Sequence, residues 1–232
     1  MRTVIDFHSH ILPLADDGSQ SISESMELLA MLAEQNVDIA FATPHFYATE
    51  DTPDAFFERR ESAYQLLCSK HVNNPKVLLG AEVAYFSGVS RMSALSDMRL
   101  ESTKLLLLEM PMIKWSDYMV SELLELASSR EIKPVLAHVE RTIDYQHRSV
   151  FDKLLDSGIL MQVNASAFIS PKNRRRALKM LKHGKVHFIG SDCHNLTVRP
   201  PKIGSAVKII EKELGSEILN KFDRFTRSFI DL

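Results

Sequence analysis

The sequence predicts an α/β fold built on a parallel sheet of seven strands, either closed as a barrel or doubly wound. Three features lead to this. Short aliphatic or β-branched runs alternate with amphipathic helical stretches along the chain. Most of those runs are almost continuously apolar, the pattern of strands buried on both faces. No low-complexity linker or long charge block divides the 232 residues, so residues 1–232 read as a single domain, a length ordinary for one α/β barrel.

The strands are expected at Thr3–Phe7, Asp38–Thr43, Lys76–Ala81, Leu105–Leu108, Pro134–Ala137, Leu160–Asn164 and Val186–Gly190. Between the first two, Ser21 with Glu24 three residues on forms a capping box. It opens a helix that places Met26, Leu29, Ala33 and Val37 on one face. Ser116 can cap a helix carrying Met119, Leu123, Leu124 and Ala127. Pro171, after Ser170, suits the first position of another. Residues 205–230 read as one or two helices.

Apolar residues make up 45% and charged residues 25%, the balance of a globular protein with a sizeable core. A net charge of -2 gives no global pull towards nucleic acid or anionic membrane. Two cysteines, Cys68 and Cys193, cannot make a disulfide framework and fit a reducing compartment. The first residues run directly into a polar, His-bearing segment without the apolar stretch of a secretory signal, and the most apolar run, Leu105–Leu108, is far too short to span a bilayer. A cytoplasmic location without membrane insertion is therefore expected.

The chemistry lies just past the strands. The first ends in His8-Ser9-His10, the second in Pro44-His45, the third in Ala81-Glu82, the fourth in Leu108-Glu109, the fifth in Ala137-His138 and the seventh in Ser191-Asp192-Cys193-His194. In a parallel barrel every strand delivers its C-terminal end to one face, so these side chains converge by topology. Imidazole and carboxylate without thiolate suit zinc, manganese or iron. With Asp17, the candidates number nine, too many for one tetrahedral ion and suited to two or three ions sharing carboxylates. Single pieces say little: His-x-His is common, and Asp16-Asp17-Gly18 alone reads as a turn. Glu82 and Glu109 say more, because a carboxylate at the end of an apolar strand is costly to bury without a partner. His71, His183 and His187 fall outside the pattern and read as surface or capping residues, and His147 as a solvated loop residue.

These residues carry a resemblance. The stretches Asp6-Phe7-His8-Ser9-His10, Asp16-Asp17-Gly18, Thr43-Pro44-His45, Gly80-Ala81-Glu82, His138-Val139-Glu140-Arg141, Gln162-Val163-Asn164 and Ser191-Asp192-Cys193-His194-Asn195, then Arg199-Pro200-Pro201, resemble the PHP (polymerase and histidinol phosphatase) superfamily. Within it they are most similar to the bacterial CpsB/YwqE-type protein tyrosine phosphatases of capsule and exopolysaccharide synthesis. The resemblance implies a distorted seven-stranded β/α barrel. It implies one ion held by His8, His10, Glu82 and Asp192, a second by Glu82, Glu109 and His138, and a third by Asp17, His45 and His194. The ion is commonly manganese, with iron, zinc or cobalt also accepted. Arg141 and Arg199 would bind phosphate, and the implied partner is the phosphotyrosine-bearing C-terminal tail of a bacterial tyrosine kinase.

Four competing readings remain. A related phosphatase could act on histidinol phosphate or another small phosphomonoester. The basic stretch Lys172, Arg174, Arg175, Arg176, Lys179, Lys182 and Lys185 could serve nucleic-acid end processing, although Ala177, Leu178 and Leu181 make it an amphipathic helix with a solvated face. Cys193 and Arg199 have the Cys-x5-Arg spacing of thiolate phosphatases, but the intervening residues contain no glycine for a tight anion loop. A metal-binding module without turnover would lack ligands or arginines that this chain has.

Overall fold

A computed structural model describes residues 3–70 and 74–230; His71 lies outside them. The strands are β1 (Ile5–Ser9), β2 (Ile39–Ala42), β3 (His45–Phe46), β4 (Lys76–Leu79), β5 (Glu82–Ala84), β6 (Leu105–Glu109), β7 (Lys133–Leu136), β8 (Leu160–Asn164) and β9 (Phe188–Gly190). The helices are α1 (Ile22–Glu34), α2 (Pro53–Cys68), α3 (Asp117–Ala127), α4 (Arg148–Asp156), α5 (Ala165–Ile169), α6 (Arg174–Lys182), α7 (Ile203–Leu214) and α8 (Ser216–Arg227). Among the described residues the expected seven strands are thus replaced by nine, in a three-stranded sheet β1-β2-β4 and a six-stranded sheet β3-β5-β6-β7-β8-β9. Every strand pairing is parallel.

The difference has a local cause. The second apolar run forms β2, and the extra strand β3 starts beyond it, after Pro44, which has no amide proton for a ladder; the third forms β4, and β5 starts beyond Gly80–Ala81. The two extra strands pair with each other in the second sheet, with the Glu82 amide donating to the Pro44 carbonyl at 3.1 Å. Across the other seam β1 lies along β9. Ser9 bridges Cys193, the Asp192 amide donates to the His8 carbonyl at 2.8 Å, and the His10 amide to the Cys193 carbonyl at 2.9 Å.

Side chains alternate between two apolar regions. Ile5, Phe7, Phe41, Leu78, Leu105, Leu107, Val135, Leu160 and Phe188 form one buried cluster, and Leu106, Leu108, Leu136 and Val163 pack with the helices in the other. Because the strand period is two, the face bearing Leu105 and Leu107 next presents Glu109. The face bearing Leu160 presents Gln162 and Asn164, and the face bearing Phe188 presents Gly190 and Asp192. The functional layer therefore sits directly on an apolar floor.

Helix starts follow the sequence, with corrections. Ser21 caps α1 by accepting from the Glu24 amide at 3.1 Å, while Glu24 reaches one residue further back, to the Gln20 amide at 2.9 Å. Of the expected face of α1, Leu29 is buried and Met26 packs against the core; Ser25, Leu28 and Leu32 complete the buried face, and Val37 is buried just beyond the helix end. Ser116 caps α3 through the Met119 amide at 3.3 Å. Pro171 lies in a turn ahead of α6, which begins at Arg174. The C-terminal segment is two helices, divided at Gly215, whose φ of 85° suits glycine. The basic helix α6 buries Ala177 and Leu181, and Arg176 pairs with Asp144 at 2.8 Å. His147 is exposed but caps α4. No helix among the described residues is long and apolar enough to cross a membrane.

His187 is not a simple surface residue. It is half-buried, and its Nδ1 accepts from the Met161 amide at 3.0 Å. Burial, helped by Lys133, lowers its pKa from 6.5 to about 4. The unfolded chain therefore takes up a proton at higher pH than the folded one, so this residue's share of stability is intact above about 6.5 and is lost as pH falls towards about 4. Thermal melts of His187→Gln should lose less stability over that interval than the parent. Parallel losses would show that the Met161 contact does not depend on a neutral ring.

Candidate metal centre

Glu82, at the start of β5, is the hub. It is fully buried. Its Oε2 lies 3.0 Å from His8 Nε2, 3.2 Å from His10 Nε2 and 3.2 Å from His45 Nδ1, and its Oε1 lies 2.8 Å from His138 Nε2. Glu109 Oε1 is 3.4 Å from the same His138 nitrogen. Asp17 Oδ1 lies 3.6 Å from His45 Nε2 and 3.5 Å from His194 Nε2. Asp192 Oδ1 lies 3.7 Å from His8 Nε2 and 3.6 Å from His10 Nε2. All nine residues singled out from the sequence thus belong to one connected cluster.

Local backbone features aim these side chains. The β1 ladder is irregular between Asp6 and Ser9, and such bulges redirect side chains beside sites. His138 and Asp192 have φ of 30° and 53°, a left-handed conformation that costs about 1–3 kcal/mol in a non-glycine residue. The buried Asp6 carboxylate accepts from the Ser191 amide at 2.7 Å and the His8 amide at 3.2 Å, pinning together the two segments that carry His8, His10, Asp192 and His194.

The electrostatics divide the imidazoles. Burial opposes charge on His10, but Asp16 and Glu82 outweigh it and raise its pKa to about 10. Burial is likewise outweighed at His138, which Glu109 and Glu82 raise to about 9. Burial lowers His45, and burial with His10 and Arg199 lowers His194 to about 4. Glu82 is held well below the usual carboxylate range, since the imidazoles around it overcome its desolvation.

The donor set fits divalent cations. His45 Nδ1 and Glu82 Oε2 lie 3.2 Å apart, yet neither they nor His194 Nε2 has a contact with hydrogen-bond geometry, an arrangement costly for buried atoms in the absence of a ligand. Donor atoms fall within 4.8 Å of one another in three groups: His10, Asp17, His45 and His194; His8, His10 and Glu82; and His45, Glu82 and Glu109. The third expected set appears whole in the first of these. Asp192 and His138, expected in the first and second sets, fall in none of the three groups.

Arg141 and Arg199 converge on Asp192. Arg141 Nη2 donates to Oδ2 and Arg199 Nη2 to Oδ1 at 2.6 Å, while Asn164 Nδ2 donates to Oδ2 at 2.7 Å. Three contributors lie in the stretches that carry the resemblance but have no role assigned from the sequence. Asp16, next to the chosen Asp17, accepts from His10 Nδ1 at 2.6 Å and from the His45 amide at 2.9 Å, positioning two imidazoles. Gln162 and Asn164 share one face of β8. The Gln162 Oε1 accepts from the His138 amide at 2.7 Å and lies 3.3 Å from His8 Nδ1. Their period-two spacing above Leu160 was the available signal.

Cys193 is fully buried, and burial followed by the Asp6 charge pushes its thiol pKa far up. The loop after it turns inward: Asn195 Oδ1 accepts from the amides of Thr197, Val198 and Arg199 at 3.2, 2.7 and 3.1 Å. Those amides are taken by a side chain and form no anion cradle around Sγ.

Residues 4–225 match the family model described as capsular polysaccharide synthesis, CpsB/CapC. The chain belongs to the CpsB/CapC family. Tyrosine-protein phosphatase CpsB of Streptococcus agalactiae serotype III is 32% identical over 94% of each chain. Tyrosine-protein phosphatase YwqE of Bacillus subtilis is 28% identical over 93% of this chain and 87% of that one. A chain from the crystal structures of YwqE from Bacillus subtilis and CpsB from Streptococcus pneumoniae, called unique metal-dependent tyrosine phosphatases, superposes with TM-score 0.81 and 26% identity over 99% of this CpsB/CapC chain and 96% of that one. A histidinol phosphate phosphatase from Lactococcus lactis shares the fold at TM-score 0.59 and 12% identity, covering 90% and 93% of the two chains.

Close packing in the centre generates a prediction. A Cβ on Gly190 would fall 2.4 Å from His8 Cβ and 2.9 Å from Gln162 Nε2. Gly190→Ala should therefore cost about 1–3 kcal/mol in denaturant unfolding. A variant as stable as the parent would mean that His8 has room to move.

Proposed function

We propose that this chain is a metal-dependent protein-tyrosine phosphatase, a single-domain enzyme of the cytoplasm. Its substrate would be the phosphotyrosine-bearing C-terminal tail of a bacterial tyrosine kinase that controls capsular or exopolysaccharide synthesis. The observation that carries the reading is the buried cluster around Glu82 with two arginines at its edge. The names of the relatives support the reaction, and the description of the YwqE and CpsB structures supports the metal dependence.

His8, His10, Asp17, His45, Glu82, Glu109, His138, Asp192 and His194 would hold two or three divalent ions, manganese first, with iron, zinc or cobalt as alternatives. Bound there, the ions would supply an acidified water nucleophile near neutral pH and positive charge opposite the phosphoryl oxygens. The remaining work belongs to the chain. Arg141 and Arg199 each spend Nη2 on Asp192, and their guanidinium forks can also take phosphate oxygens bidentately. Asp16 keeps Nε2 of His10 turned to the cluster by accepting from Nδ1. Gln162 and Asn164 hold the His138 backbone and the Asp192 carboxylate in place. A phenolate, with a parent pKa of about 10, leaves with less proton assistance than an alkoxide. That agrees with the lack of an assigned general acid here.

Hydrolysis of a phosphotyrosyl peptide should exceed that of histidinol phosphate, should fall to background after exhaustive chelation, and should return with added manganese. Cys193→Ser should retain activity close to that of the parent. Preference for histidinol phosphate would move the enzyme to another substrate. Activity that survives metal removal and disappears in Cys193→Ser would replace the metal mechanism with a thiolate one.

A further inference from the structure

Large apolar side chains exposed to water are unevenly placed. Of nine among the described residues, six lie in the segments leaving β1, β3, β6, β7 and β9, around the metal centre: Leu14, Tyr47, Met112, Ile113, Tyr145 and Val198. Isolated exposed apolar residues are ordinary; a collar of them around one site is not.

Nor are they on loose loops. Gln146 clamps the segment after β6 from both sides. Its Nε2 donates to the Ile113 carbonyl at 2.6 Å, and its Oε1 accepts from the Trp115 amide at 3.0 Å. The buried Trp115 indole donates to the Pro111 carbonyl at 3.0 Å and packs on Phe151 with ring centroids 5.5 Å apart. Met112 and Ile113 are thereby held 57% and 56% exposed, three and four residues beyond Glu109. Tyr145 directly precedes the clamping Gln146, so the β6 and β7 segments form one fixed unit. Across the site, the three amide bonds to Asn195 hold Val198 81% exposed next to Arg199. Tyr47 stacks on His45 with centroids 5.0 Å apart and keeps part of its ring in water.

We propose that this rim, centred on Met112, Ile113 and Tyr145, docks the polypeptide on either side of the phosphotyrosine, taking apolar side chains that flank it. The proposal rests on the phosphatase reading and adds the selection of substrate sequence. The occupant follows from position and chemistry. The rim surrounds the place where the phosphate would bind, a phosphotyrosyl segment brings its own apolar ring, and a small polar phosphomonoester would leave this surface uncovered. Pre-ordered loops bind without the entropy cost of fixing them on contact.

The test compares three substrates: p-nitrophenyl phosphate, a phosphotyrosyl peptide with apolar flanking residues, and the same peptide with those flanks changed to serine and glycine. The parent should favour the apolar-flanked peptide. In Met112→Ser/Ile113→Ser, kcat/KM for that peptide should drop about tenfold, chiefly through KM, relative to p-nitrophenyl phosphate, and the preference between peptides should vanish. Gln146→Ala, which releases the clamp, should lower the same ratio. Equal changes on all three substrates, or no change in the peptide ratio, overturn the rim alone. A parent that hydrolyses p-nitrophenyl phosphate but neither peptide overturns the protein-phosphatase reading and the rim with it.

Discussion

A carboxylate taken out of water has to be compensated at close range, and the arrangement around Glu82 follows from that requirement. Four imidazoles approach its two oxygens at 2.8 to 3.2 Å. Those imidazoles crowd one another in turn, with His8 and His10 nitrogens 3.0 Å apart and the His10 and His194 rings 3.9 Å apart. So dense a set of donors is poorly matched by protons alone, as the unpartnered nitrogens of His45 and His194 indicate. Divalent cations resolve both problems, since they neutralise the carboxylates and use the nitrogen lone pairs.

The fold delivers this chemistry through strand periodicity. One side of the curled sheet is apolar for most of its depth, with Phe7, Phe41 and Phe188 among its fillers, and becomes polar towards one end, at Glu109, Gln162 and Asn164. The apolar floor keeps water away from below and makes each polar contact above it stronger. Outside the donor set, Asp6, Asp16, Gln162 and Asn164 spend their hydrogen bonds on the backbone and side chains of the segments that carry the candidate ligands. Left-handed backbone at His138 and Asp192 is tolerated because those bonds over-determine it.

Much of this was legible in the residues. A His, Asp or Glu past six of the seven apolar runs pointed to convergence, and the structure brings those residues together. Other features depend on three-dimensional context. Apolar patterning locates a run but does not reveal the extra strands that start beyond Pro44 and Gly80–Ala81, so nine strands replace seven. The choice between neighbours Asp16 and Asp17 depends on which carboxylate meets His10 Nδ1. The convergence of Arg141 and Arg199 on one carboxylate joins loops 58 residues apart in sequence, a pairing no local pattern encodes. On α1 the pattern located Leu29 but not Leu28 and Leu32, and Val37, though buried, lies beyond the helix end.

The central claim is that the cluster is a metal site organised by Glu82. Elemental analysis of the purified protein after manganese loading and desalting, beside Glu82→Gln with its fold checked by circular dichroism, tests it most directly. The account predicts two or three ions per chain in the parent and the loss of at least one in a variant that remains folded. A parent that retains no ion, or a folded Glu82→Gln that keeps the full complement, would contradict it.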